Sequence, residues 1–126
     1  MRKGFIALGV LIILVLTVSY EKGGAMAERP DYRTQIKDKF SRLDLSDGVS
    51  KEEAVVIAQN YLIEKGIDKD CNIMKPEVKE SQLVDNCWAV GFNAIAKVRS
   101  ESGLEWFALH IDRTTGEIKG QGWGPS

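Results

Sequence analysis

Hydrophobic and polar positions change rhythm twice along this chain. Phe5 to Val18 is an apolar stretch interrupted only by small Gly9 and Thr17. From Glu28 to Asp47 the chain is polar and charged, with Tyr32, Ile36, Phe40 and Leu43 recurring at helical spacing, which predicts a short amphipathic helix or a linker folded onto the domain. Asp44 to Gly48 is rich in turn formers and breaks that pattern. Ser50-Lys51-Glu52-Glu53 then reads as a capping box, and Ala54, Ile57, Ala58, Tyr61 and Leu62 form one apolar stripe before Gly66. The pattern predicts a helix from Lys51 to about Lys65, with Ala54 and Ala58 letting a sheet approach closely.

After Ile67 the spacing changes to alternation. A weak first strand is expected around Ile73 to Lys79, where Pro76 points to an edge or a bulge. A long second strand follows, with Trp88, Val90, Phe92, Ala94, Ala96 and Val98 on one face and Asn93, Lys97 and Arg99 on the wetter one. Ser100 to Gly103 would turn the chain into a third strand, Leu104 to Ile111, which carries large apolar groups on both faces. That predicts a central strand, covered on both sides or covered on one and used for binding on the other. Asp112 to Gly116 turns again, and Ile118 to Trp123 makes a last strand loosened by Gly120, Gly122 and Gly124. The expected fold is α+β, one main helix packed on a small antiparallel sheet and preceded by a short amino-terminal helix.

The amino terminus sets the address. Arg2 and Lys3 precede the apolar stretch, and Ala25-Met26-Ala27 places small residues where a signal peptidase reads. Residues 1–27 are expected to be an export signal cleaved before Glu28, residues 28–48 a helix or linker, and residues 49–126 the domain. An uncleaved anchor is the alternative, since Glu21 and Lys22 lie in a long segment before Ala27, but the stretch falls short of the roughly 20 residues that span a bilayer. The product would be periplasmic or extracellular, touching the membrane only through that segment if it stays attached. From Glu28 onward 14 basic and 17 acidic side chains leave a net charge of −3, with the signs interspersed. Nucleic acid is excluded as a partner by the lack of a basic stripe.

Candidate chemistry is sparse. Cys71 and Cys87 sit in the exported part, where a disulfide closing a loop of around 15 residues would contribute on the order of 3 kcal/mol. Two buried free thiols or a redox pair are the other readings, the last disfavoured by the absence of C-x-x-C spacing. His110 is the one histidine. It makes no metal site by itself, and no motif sets a nucleophile beside it, so neither a metal nor a cofactor is expected and a small hydrolase using His110 is the remaining enzymatic alternative. Asp112 to Glu117 is explained by turn chemistry rather than calcium, and the glycines before the carboxyl terminus lack the helix that a phosphate cradle needs. Trp88 falls on the core face, whereas Trp106 and Trp123 are candidates for an exposed pair that binds a partner.

The segments Ser50-Lys51-Glu52-Glu53-Ala54, Glu64-Lys65-Gly66-Ile67-Asp68, Trp88-Ala89-Val90-Gly91-Phe92 and His110-Ile111-Asp112-Arg113-Thr114-Thr115-Gly116-Glu117-Ile118 together resemble the PepSY and PepSY-like domains over roughly Val49 to Gly122. The resemblance implies a cystatin-like helix on a small antiparallel sheet, an exported or membrane-attached setting, and a role in restraining peptidases, with no catalytic residues to carry over. A second resemblance is to immunity proteins with a nuclear-transport-factor-like cone fold, which implies neutralising a toxin by covering it. Either way the expectation is a non-enzymatic domain that binds a protein partner in the cell envelope, a peptidase or a toxin.

Overall fold

A computed structural model of the protein describes residues 31–125. The expected export signal, residues 1–27, lies outside the described residues. The chain divides into two compact units at Thr34 and Gln35; of the first, only Asp31 to Thr34 are described, where Asp31 Oδ1 accepts from the Thr34 amide.

The elements are α1 (Tyr32–Ser41), α2 (Lys51–Glu64), β1 (Glu77–Glu80), β2 (Cys87–Asn93), α3 (Ala96–Ser102), β3 (Trp106–Asp112) and β4 (Ile118–Gly124). The four strands form one antiparallel sheet in the order β1-β2-β3-β4. The fold is therefore α+β with three described helices and a four-strand meander, and β3 is an interior strand as its apolar residues on both faces suggested.

Helix α2 begins where the sequence places it. Ser50 Oγ accepts from the Glu53 amide at 3.1 Å and the Glu53 carboxylate accepts from the Ser50 amide at 2.8 Å, so two amides that the helix leaves orphaned are paired at its first turn. Ala54, Ile57, Ala58 and Leu62 are buried against β1, β2 and β3. Across the sheet this inner face is filled by Val90 and Phe92 of β2 with Phe107, Leu109 and Ile111 of β3. Phe107 lies opposite Trp123 of β4, with ring centroids 5.1 Å apart and edge-to-face. Trp88 fastens the helix start to the sheet: its indole N–H donates to the Val49 carbonyl at 2.7 Å, and the Arg113 guanidinium lies 4.3 Å from its ring centroid. In return the Val49 amide donates to the Arg113 carbonyl at 2.8 Å.

The Asp112–Glu117 turn is built as turn chemistry requires. Asp112 Oδ1 accepts from the amides of Thr114 and Thr115 at 2.8 and 2.9 Å. Those bonds, Thr115 first, hold its carboxyl below the usual carboxylate range. Gly116 sits at φ +80°, and a methyl group there would come within 2.8 Å of Leu45 Cδ1 and 3.2 Å of Ile57 Cδ1, so the turn closes tightly onto α2 and the segment before it.

Three expectations are corrected. The second strand stops at Asn93 instead of reaching Val98, and the residues expected to finish it and turn form α3. Its first turn closes from the Arg99 amide to the Ile95 carbonyl, and Gly103 ends it at φ +76° with its amide on the Arg99 carbonyl. Ala96, Lys97, Arg99 and Glu101 are good helix formers, and because β3 begins only at Trp106, opposite Asn93, it offers no partner strand to hold them extended. The first strand begins after Pro76, because proline has no amide to give the ladder, and spans Glu77–Glu80, which among the described residues is an edge strand paired with β2.

The third correction concerns the Cys71–Cys87 disulfide. Both thiols are free and buried. Cys71 forms an isolated bridge with Ala94 beyond one end of β2, while Cys87 opens that strand opposite Asp112. Seven residues at about 3.3 Å each place the two ends about 23 Å apart, far beyond the roughly 7 Å over which two Cα atoms can be bridged. Burial pushes the Cys71 thiol up to about 11, with Asp70 adding to the effect, and burial likewise raises that of Cys87.

Candidate binding groove on the open sheet face

Alternation makes the opposite face of the same sheet a different surface. Reading across the strands, its rows are Lys79, Ala89, His110 and Gly120; then Glu77, Gly91, Ala108 and Gly122; then Asn93, Trp106 and Gly124. Beyond Glu77 on the edge strand the middle row carries almost no side-chain bulk, and a methyl group built on Gly122 would meet nothing within 4 Å. A groove of about 500 Å³ lies there, floored by Ala89, Gly91 and Ala108 and bounded by Trp106, His110 and Leu83. Trp106 and His110 are four residues apart on β3, about 13 Å along the strand.

Each wall is held in place. The Trp106 indole N–H donates to the Pro125 carbonyl at 2.8 Å. Its ring lies over Gly124, where a Cβ would collide with the ring carbons, so glycine at that position is what allows the indole to lie down. Trp106 is nonetheless 40 % exposed. Leu83 comes from the loop between β1 and β2 and is 84 % exposed. Ser81 organises that loop, accepting from the amides of Leu83 and Val84 at 3.1 and 3.0 Å.

Ser81 Oγ also lies 2.9 Å from His110 Nδ1. With both lone pairs of the hydroxyl accepting amides, its proton is what remains for the imidazole, which accepts it at Nδ1 in the tautomer that carries its proton on Nε2. This contact brings a hydroxyl to the lone histidine, which the sequence reading did not foresee. It is a poor nucleophile, because the lone pairs that would attack a substrate already hold the loop. No carboxylate is hydrogen-bonded to His110 among the described residues, and none of them form a cluster of three or more metal-ligating side chains.

The two candidate tryptophans do not form one surface. Trp106 faces the groove, whereas Trp123, opposite Phe107, belongs to the inner face and is half-buried there. Ser81 and Leu83 escaped sequence reasoning because the loop closes over β3 residues almost thirty positions away. The small outward residues Ala89, Gly91, Ala108, Gly120 and Gly122 were readable as a set, since the same alternation that marked the core face also marked them.

Comparison with protein-family models, curated proteins and solved structures found no match. What stands is the class that fold and groove define, an α+β domain with one helix-covered sheet face and, among the described residues, one uncovered face whose small central residues are bordered by Trp106, Leu83, His110 and the charged side chains of Glu77 and Lys79. Among the described residues no helix is long and apolar enough to cross a membrane.

Proposed function

We propose that this is an exported, non-catalytic binding domain whose open sheet face holds a protein partner in the cell envelope, and that the partner is a peptidase restrained by the contact. The observation that carries the reading is the groove between Trp106 and His110: an indole fixed by Pro125 and Gly124 stands beside a floor of alanine and glycine. Aromatic side chains with restricted rotamers contribute contact area at low entropic cost, and a floor without side chains lets a partner's backbone come close. Exposed Leu83 extends the apolar surface. The peptidase follows from the PepSY resemblance of the turn and helix start, and export follows from residues 1–27.

The test is affinity capture from envelope extracts with the wild-type protein beside Trp106→Ala and Ala108→Leu. The expected result is a peptidase retained by the wild type, released by both variants and slowed by the wild type in a cleavage assay. A toxin retained in its place would move the reading to an immunity protein. Equal retention by all three would remove the groove as the binding surface.

A further inference from the structure

A second cavity, of about 380 Å³, opens where the end of α1, the flank of α2 that carries Ile57, Asn60 and Glu64, and the β3–β4 turn meet, within the size range of about 300–1,000 Å³ typical of ligand sites. Its walls are apolar, with Phe40, Leu45, Ile57 and Ile118 among them, and Phe40 is 41 % exposed. One polar side chain stands out. Asn60 lines the cavity, is only 5 % exposed, and its amide has no hydrogen-bond partner among the described residues. Its neighbour Gln59, equally buried, donates to the Ile73 carbonyl at 2.9 Å. Buried amides are normally paired, because leaving one unpaired forfeits its bonds to water.

The two acidic residues at the cavity are already answered by lysines. Glu64 lies 3.9 Å from Lys37, and Glu117 lies 3.1 Å from Lys119. A cationic ligand would have to compete with both, while a neutral one meets apolar walls and one free amide. A primary amide offers an N–H donor and a carbonyl acceptor side by side, the complement of the N–H and C=O of a peptide backbone.

We propose that this cavity docks an uncharged stretch of a partner polypeptide, one apolar side chain entering beside Phe40 and Leu45 while the adjoining backbone amide pairs with Asn60. The site shares no lining residue with the groove on the open sheet face, so it does not depend on the function proposed for that groove.

The test is a titration of the isotope-labelled full chain with N-acetyl-leucine amide, followed by NMR at the Asn60 side-chain N–H signals and the Tyr61 and Glu117 backbone amides. Saturable shifts at all three are expected, with affinity reduced about tenfold in Asn60→Leu, as loss of paired hydrogen bonds predicts. Shifts of equal affinity in that variant, or none in the wild type, would overturn the proposal. If Asn60→Leu does not fold, the ligand decides on the wild-type chain. N-acetyl-leucine amide should bind more tightly than 3-methyl-1-butanol, which lacks the amide, and more tightly than N-acetyl-lysine amide. Equal binding of all three would overturn it.

Discussion

The two faces of the sheet are made by the same strands, and they differ in almost every physical respect. The inner face stacks Val90, Phe92, Phe107, Leu109 and Ile111 under α2, each at most 1 % exposed. The outer face puts Ala89, Gly91, Ala108, Gly120 and Gly122 at neighbouring positions, and bulk returns at its margins, in Trp106, His110, the overhanging Leu83 and the polar side chains of Glu77, Lys79 and Gln82. One face buries large side chains and thereby holds the fold together. The other forgoes that burial and leaves a surface shaped for something outside the sheet. Stability and recognition are thus assigned to alternate residues of the same strand, and a substitution at Phe107 should behave unlike one at Ala108, its immediate neighbour.

The sharpest break in that comparison is Phe107→Ala. It removes a fully buried ring and the partner of Trp123, and should cost about 3–5 kcal/mol in a urea unfolding titration. Such a loss would leave a domain of this size barely folded. A loss under about 1 kcal/mol would mean that the inner face is not the core. Gly116→Ala comes next, at about 1–3 kcal/mol, because an L-residue must take φ +80° and push against Leu45. Its check is the same titration, with Gly122→Ala, in open space, as the contrasting substitution that changes little.

Ser50→Ala should cost about 1 kcal/mol through loss of the cap, read from the thermal midpoint. On the outer face Ala108→Leu should move stability by no more than about 0.5 kcal/mol while abolishing capture of the partner. A large stability change there would show that the face is already covered within the fold.

The smallest effect is a pH dependence. Asp112 titrates below its ordinary range when folded, chiefly because the amides of Thr115 and Thr114 donate to it. A carboxyl depressed in the folded state contributes stability that is present above its unfolded value, about 3.9, and is lost as pH falls through the lower folded value. Acid unfolding followed by circular dichroism should therefore be shallower in Asp112→Asn, and identical profiles would exclude the contribution.

The thiols give a separate check. Two free thiols per unfolded chain without reductant are expected, and native Cys71 should resist labelling because burial raises its thiol to about 11. Zero free thiols before reduction would contradict the placement of the cysteines at opposite ends of β2.

Legibility followed the range of the interactions involved. The start of α2 was readable because its signal is local: Ser50 and Glu53 satisfy each other's amides within one turn. The Asp112–Gly116 turn was readable for the same reason, as was β3, whose alternation needs only its own seven residues. The second half of β2 was not. Ala94, Ala96 and Val98 alternate as a strand would, yet a strand needs a partner for its hydrogen bonds, whereas those of α3 close within the segment itself. The cysteine pair failed in the same way, since closeness in sequence says nothing about distance once an extended strand separates the two residues.

By itself, the sequence determined the class of fold, the helix that covers the sheet, the turn that closes on it and which residues of β3 share a face, because each depends on bonds or periodicities spanning a few residues. Only the tertiary structure decided that Trp106 and Trp123 stand on opposite faces, that Ser81 reaches His110, that Gly124 lies under an indole and that Asn60 is buried without a hydrogen-bond partner among the described residues. Those facts come from strand pairing and loop closure between segments far apart in the chain, and no local pattern of side chains encodes which distant residue a given one will meet.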